Sequence, residues 1–162
     1  MIEATIVADS SPLISLALIQ QLDILPCLYR SVCVPPAVWE EVTLQGAGLP
    51  GADEVKCLEW LQVKTPDSAW IQPLSILVDK GEAEVIALAQ TFPAHIVLID
   101  DARARRVAER FNLKCIGTVG LLRRAKKAGL IVAIKPYLFS LQEKGIYIRQ
   151  ALIDAVLKDM GE

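Results

Sequence analysis

Short apolar runs alternate with amphipathic segments along most of the chain. Residues 5–8, 31–34 and 96–99 form apolar runs that contain β-branched side chains, and a turn or helix-start signal follows each run. The run at 96–99 is wholly apolar, which is typical of a strand buried on both faces of a parallel sheet. We expect a further strand at residues 114–116 and an edge strand at residues 62–64.

The segments between these strands carry helical patterns. Residues 81–90 and 102–111 are the clearest, because their apolar side chains recur on one helical face. A helix is predicted from a cap at Ser10 or Ser11, with Pro12 in its first turn. Further helices are predicted after Pro35-Pro36, over 55–61, from a cap at Thr118 to Gly129, and over 136–144 and 149–158. Strands that alternate with helices predict a single α/β domain over residues 1–162, built around a mainly parallel sheet.

Acidic residues follow two of the predicted strands directly. Asp9 ends the first strand, and Asp100 with Asp101 ends the strand at 96–99. In a parallel sheet the carboxyl ends of the strands lie at one edge, where α/β proteins bind ligands. Asp9 could simply start a turn, but an acidic pair directly after a wholly apolar strand is costly to bury without a partner. We therefore expect these three side chains at one functional edge.

Two predicted helices place more carboxylates at the same edge. Glu82 lies in the first turn of its helix and shares a stripe with apolar residues, so it is expected to point toward the sheet. Glu41 lies about one turn into the helix after Pro35-Pro36, whereas its neighbour Glu40 is expected to face solvent. Each alone could be only a helix-dipole or surface residue. Together with the aspartates they predict a Mg²⁺ or Mn²⁺ site, because clustered carboxylates need a hard cation.

The charge is divided along the chain. Residues 1–102 hold 14 acidic and 4 basic residues, whereas residues 103–149 hold 12 basic and 2 acidic residues. The basic block could be only the solvated faces of two helices. Next to an acidic metal site, it indicates a polyanionic substrate such as a nucleic acid.

Other features exclude several function classes. The four cysteines show no metal-binding spacing, His95 is the only histidine, and a structural zinc is therefore not expected. We expect the cysteines to be buried, reduced thiols of a cytoplasmic protein. No apolar run reaches the ~18 residues that span a bilayer. His95 precedes a strand and so should lie at the opposite edge from Ser10 and Ser11, which argues against a serine hydrolase.

Five segments, in order along the chain, resemble the motifs of PIN domains, most closely an uncharacterised prokaryotic subgroup of predicted nucleic-acid-binding proteins. The resemblance covers residues 5–150 and is carried by Ala8-Asp9-Ser10-Ser11-Pro12, Val34-Pro35-Pro36-Ala37-Val38-Trp39-Glu40-Glu41, Gly81-Glu82-Ala83-Glu84, Leu98-Ile99-Asp100-Asp101-Ala102-Arg103 and Gly117-Thr118-Val119-Gly120. It implies a three-layer α/β/α fold and a metal-dependent nuclease, usually a ribonuclease. Many relatives are toxins of toxin–antitoxin pairs, so it also implies a small antitoxin partner and a homodimer.

The resemblance assigns roles by position. Asp9, Glu41, Glu82 and Asp101 correspond to the four acidic positions, with Asp100 and Glu84 as adjacent candidates. Ser11 resembles the residue that orders the first loop, and Thr118 the hydroxyl near the site. The third acidic position is commonly Asp, so Glu82 leaves the number of metal ions open.

These observations lead to one hypothesis about the reaction. Asp9, Glu82 and Asp101 would hold one or two Mg²⁺ or Mn²⁺ ions for hydrolysis of RNA. Arg103, Arg105 and Arg106 would hold phosphates, although Arg105 could be only a solvated side chain. The rival is a PIN fold that binds nucleic acid or an antitoxin without useful activity. A two-component receiver or a haloacid-dehalogenase-type phosphatase would need a second acidic residue at the first strand, where Ser10 and Ser11 stand.

Overall fold

A computed structural model describes residues 2–92 and 96–162, so His95 lies outside the described residues. Five strands occur in this part of the chain: β1 (Ile2–Ala8), β2 (Tyr29–Val34), β3 (Leu61–Val63), β4 (Ile96–Leu98) and β5 (Lys114–Ile116). They form one parallel sheet in the order β3-β2-β1-β4-β5. The predicted parallel sheet is therefore confirmed, and β3 is the edge strand expected near residues 62–64.

Helices flank the sheet and complete a three-layer α/β/α fold, as the resemblance implied. They are α1 (Ser10–Leu18), α2 (Ile24–Leu28), α3 (Pro36–Trp39), α4 (Ala52–Lys56), α5 (Ile71–Ser75), α6 (Lys80–Thr91), α7 (Ala102–Arg110), α8 (Thr118–Lys127), α9 (Lys135–Glu143) and α10 (Gln150–Asp159). A π-helical segment, Glu40–Gln45, continues α3, and a 3₁₀ turn, Ser68–Trp70, precedes α5. The helices after Pro35 and Asp101 begin within one residue of the predicted starts.

The register of the central strands brings three chain segments to one edge of the sheet. Ala8 of β1 pairs with Leu98 of β4, and Leu98 in turn pairs with Ile116 of β5. The Asp9 backbone N–H donates to the Leu98 carbonyl at 2.9 Å, which extends the ladder by one residue. The residues that follow β1, β4 and β5 are therefore neighbours, as expected for the carboxyl edge of a parallel sheet.

The core lies on both faces of the central strands. Ile6, Val7 and Ala8 of β1 and Val97 and Leu98 of β4 are fully buried. Apolar side chains on both faces are the sequence signature of a strand covered by helices on each side. Because these strands cannot shift without exposing apolar groups, they hold their carboxyl ends rigidly.

The last helix is fastened to its neighbours by the side chain of Glu162. Its carboxylate accepts hydrogen bonds from the backbone N–H groups of Ile134 and Lys135 at the start of α9 and from the ammonium of Lys126 in α8. Partial desolvation opposes these bonds, but together they lower the pKa of Glu162 to about 2. The α9–α10 pair is thus held against α8.

Four expectations were wrong. Asp9, not Ser10 or Ser11, occupies the cap position of α1. The helix predicted over 55–61 ends at Lys56, and Leu61 instead begins β3 and pairs with Val32, because a short apolar run fits either periodicity. Gly117, not Thr118, occupies the cap position of α8. Cys27 and Cys57 are exposed rather than buried, since they lie on the solvent side of short helical segments.

The described residues include no helix that is long and apolar enough to cross a membrane.

Candidate metal and nucleic-acid site

Asp9 is the buried centre of the acidic edge. It occupies the cap position of α1, makes no side-chain capping bond, and is only 6% exposed. Burial raises the pKa of Asp9 to about 7; a hydrogen bond from the Ser10 N–H opposes this rise, while the charges of Glu82, Asp79 and Glu41 add to it. Four carboxylates from three chain segments therefore lie close enough to interact.

Glu82 and Asp79 are fixed to each other at the start of α6. Asp79 Oδ1 accepts from the Glu82 N–H at 2.8 Å, and Glu82 Oε2 accepts from the Asp79 N–H at 3.1 Å. This reciprocal arrangement is a capping box. Sequence reasoning missed Asp79, although the spacing Asp79-Lys80-Gly81-Glu82 before an apolar helix is a signal for such a box.

Glu82 also interacts electrostatically with the carboxylates that follow β1 and β4, Asp9 and Asp101. Burial raises its pKa, which the Asp79 N–H bond opposes; the charges of Asp79 and Asp101 raise it further, and Arg103 lowers it. Asp9 and Asp101 thus each interact with Glu82. Of the three residues expected to hold the metal, Glu82 is thus the one that interacts with both of the others.

Glu41 approaches the cluster from the π-helical segment. Its side chain is exposed, and its Oε2 atom lies 3.2 Å from the position that a Cβ on Gly81 would take. The missing side chain at Gly81 thus lets the carboxylate approach the start of α6. Its neighbour Glu40 is exposed and is not among the charges that raise the pKa of Asp9.

The two aspartates after β4 make hydrogen bonds to different elements. Asp101 Oδ1 accepts from the Ala104 N–H at 2.8 Å and caps α7. Asp100 instead binds Thr118: its two oxygens accept from the Thr118 backbone N–H at 2.7 Å and from the Thr118 hydroxyl at 2.6 Å. Asp101 therefore belongs with the acidic cluster, whereas Asp100 ties the end of β4 to the start of α8.

Glu84, the other adjacent candidate, is used elsewhere. Its Oε1 atom accepts from the Ala37 N–H at 3.1 Å and connects α6 to α3. It holds two helices together instead of facing Asp9.

An open groove of about 1610 Å³ leads away from Asp100 and Asp101. Ser11 and Thr118 lie at its acidic end, while Tyr147 and Arg149, which precede α10, also line it. Its basic lining residues are Arg105, Arg106, Arg123, Arg124, Lys127 and Arg149. Arg103 is not part of this lining and lies instead near Glu82. Of the three arginines expected near phosphates, Arg105 and Arg106 therefore line the groove and Arg103 does not.

The donor set fits a hard divalent cation in its chemistry. Asp9, Glu82 and Asp101 offer only carboxylate oxygens, the ligand type that Mg²⁺ and Mn²⁺ prefer. Burial raises the pKa of Asp9 and the charges of Glu82, Asp79 and Glu41 raise it further, so a bound cation would offset part of the repulsion in the cluster. As these side chains stand, no group of three acidic, histidine or cysteine residues in the described ranges is arranged to hold a metal ion.

Comparison with known proteins gives one finding. A family model described as a PIN domain matches residues 5–162. A search of curated proteins found no match.

Proposed function

The chain belongs to the PIN-domain family, and on this basis we propose that it is a metal-dependent endoribonuclease. PIN domains are generally nucleases and typically use divalent metal ions. The observation that carries the proposal is the electrostatic interaction of Glu82 with both Asp9 and Asp101, together with the basic groove that Asp101 lines. A cation site next to a track for phosphates is the arrangement that phosphodiester hydrolysis requires.

Asp9, Glu82 and Asp101 would hold one or two Mg²⁺ or Mn²⁺ ions. When bound, such ions activate water for attack and stabilise negative charge on the phosphate oxygens. Asp9 is mostly buried and its neighbours are anionic, so its pKa is raised. A bound cation would favour the ionised carboxylate and so lower that pKa. Glu82 keeps one oxygen for the Asp79 N–H, which orients the other toward the cluster.

The remaining residues would position water and substrate. Glu41 is exposed beside the cluster, so its carboxylate can accept a hydrogen bond from the attacking water. Arg103 lies near Glu82 and Arg106 lies in the groove, so they can hold two different phosphates of one strand. The Thr118 hydroxyl holds Asp100, and Ser11 offers a hydroxyl at the rim.

Substitution of Asp101 tests this proposal. Asp101→Asn keeps an oxygen that can accept from the Ala104 N–H, so α7 stays capped and the fold is retained. We expect Mn²⁺-dependent cleavage of a fluorescent single-stranded RNA to fall at least 100-fold, a rough figure for loss of a metal ligand. Glu40→Gln is the matched control, because Glu40 is exposed. This variant should cleave the RNA like the wild type. Undiminished cleavage by Asp101→Asn would rule out the assignment.

The family resemblance supports a biological context. We propose that the protein acts in the cytoplasm as the toxin of a toxin–antitoxin pair, forms a homodimer and is inhibited by a small antitoxin. Light scattering during gel filtration measures the mass directly. A mass of 17.7 kDa, that of one chain, at micromolar concentration would contradict the dimer.

A further inference from the structure

Four of the six cations that line the groove make no ion pair and no side-chain hydrogen bond with the described residues. The described residues form three ion pairs, Arg30 with Glu3, Arg123 with Asp159 and Lys126 with Glu162. Arg124, which also lines the groove, is held by the Tyr29 hydroxyl at 2.8 Å. The four groove cations outside these contacts are Arg105, Arg106, Lys127 and Arg149. Unpaired cations along a groove create a positive potential that attracts a polyanion.

The lining of the groove also includes an exposed aromatic side chain. Tyr147 is 86% exposed and lies in the connection between α9 and α10. Its neighbours Ile146 and Ile148 are partly buried against the hydrophobic core, and the Ile146 N–H donates to the Leu141 carbonyl at 3.0 Å. The inward isoleucines anchor this segment. In an extended segment alternate side chains face opposite sides, so Tyr147 and Arg149 are both presented outward.

Tyr147 gains little stabilisation from packing, because an aromatic ring that is 86% exposed loses most of what its burial would give. A ring held on an anchored segment and flanked by cations is suited to stack on a nucleic-acid base while the cations bind phosphates. Bases of a duplex are already stacked and paired, so this arrangement favours an unpaired strand.

We propose that Tyr147 stacks on an unpaired base of an RNA strand that binds in this groove. Arg106, Lys127 and Arg149, which line the same groove, contact phosphates of that strand. The proposal rests on the proposed function, because it identifies the substrate form that the acidic cluster receives. It also makes Tyr147 a residue that selects single strands and sets a minimum substrate length.

Binding without metal separates this inference from the nuclease activity. The probe is a fluorescein-labelled, 2′-O-methylated single-stranded RNA, which cannot be cleaved by attack of its own sugar hydroxyl, and the buffer contains EDTA. Fluorescence anisotropy gives the Kd for the wild-type chain, Tyr147→Ala, Tyr147→Phe and Arg149→Ala. Phe139→Ala and Arg30→Ala are the matched controls, because both residues are exposed and neither lines the groove.

We expect Tyr147→Ala to weaken binding by about 5- to 20-fold, and Tyr147→Phe to bind like the wild type, because the ring is kept. Arg149→Ala should reduce the slope of log Kd against the logarithm of the salt concentration by the amount that corresponds to one phosphate contact. A hairpin duplex of the same sequence should bind more weakly than the single strand. The two controls should leave Kd within about twofold of the wild type.

Three results would overturn the inference. They are equal affinity of Tyr147→Ala and the wild type, equal affinity for duplex and single strand, or capture of an acidic peptide in the groove with no RNA binding. The last result would assign the groove to a protein partner. If the RNA binds as expected and the wild type cleaves nothing with Mn²⁺, the groove assignment stands and the nuclease proposal fails.

Discussion

Asp79 and Glu82 cap the same helix reciprocally, with bonds of 2.8 Å and 3.1 Å that join each carboxylate to the backbone N–H of the other. One oxygen of Glu82 is thereby fixed by local structure, and the side chain cannot swing freely away from Asp9. A metal ligand that is held in place before the metal arrives loses less conformational entropy on binding. Asp79 is therefore a positioning residue of the site.

Replacing Asp79 should affect stability and metal binding separately. Asp79→Ala removes the cap and should lower the free energy of unfolding by about 1 kcal/mol. It should also weaken Mn²⁺ binding by about 10-fold, because the orientation of Glu82 is lost. Asp79→Ser keeps an acceptor for the Glu82 N–H and should recover the stability. Urea denaturation and Mn²⁺ titration measure the two effects; wild-type affinity in Asp79→Ala would contradict the positioning role.

Asp9 should make the metal-free protein less stable as the pH rises. Its pKa is raised from 3.8 to about 7, so the folded state binds more protons than the unfolded state between these values. The stability linked to this group is present below pH 4, falls as pH rises and reaches its minimum above pH 7. Asp9→Asn removes the charge and should stabilise the metal-free chain at pH 8 by roughly 2–4 kcal/mol.

Denaturation at two pH values in EDTA checks this expectation. The difference in the free energy of unfolding between Asp9→Asn and the wild type should be small at pH 4 and large at pH 8. Added Mn²⁺ should then raise the melting temperature of the wild type and leave that of the variant unchanged, since only the wild type retains the ligand. An equal difference in the free energy of unfolding at both pH values would contradict the raised pKa of Asp9.

Asp100 and Asp101 should respond differently to the same substitution. Asp100 gives both oxygens to Thr118, so Asp100→Asn should lower the free energy of unfolding by about 1–2 kcal/mol and leave Mn²⁺ affinity nearly unchanged. Asp101→Asn should leave the free energy of unfolding nearly unchanged, because an amide oxygen can still cap the helix. It should weaken Mn²⁺ binding, because an amide is a poor ligand for this ion. Isothermal titration with Mn²⁺ distinguishes them, and a larger loss of affinity in Asp100→Asn would exchange their roles.

Glu41 and Glu40 provide a second matched pair. Both are exposed, but only Glu41 lies beside Gly81 and contributes to the raised pKa of Asp9. Glu41→Gln should reduce the rate of RNA cleavage by about 10- to 100-fold with little change in stability. Glu40→Gln should retain the wild-type rate. Equal rates for the two variants would remove Glu41 from the site.

The sequence predicts the edge where the site lies better than it predicts the contacts within it. Asp9 and Asp101 follow from strand ends in a parallel sheet, a relation that does not depend on side-chain detail. Asp100 and Asp101 cannot be separated in this way, because their directions depend on the dihedral angles of the turn after β4. Their separation becomes visible only in the bonds to Thr118 and Ala104.

The groove depends on tertiary packing and could not be derived from local patterns. Arg106 and Lys127 lie on α7 and α8, whereas Tyr147 precedes α10. The contacts that bring these elements together, such as Arg123 with Asp159 and Lys126 with Glu162, join residues 36 positions apart. The basic block is evident in the sequence, but its alignment with an exposed tyrosine is not.

The central claim is that Asp9, Glu82 and Asp101 form one cation site. A crystal of the protein soaked in Mn²⁺ and measured for anomalous scattering locates the ion directly. We predict a Mn²⁺ peak within coordinating distance of carboxylate oxygens of Asp9 and Asp101, with Glu82 as a further ligand. A peak elsewhere on the protein, or none at these three carboxylates with saturating Mn²⁺, would contradict the account.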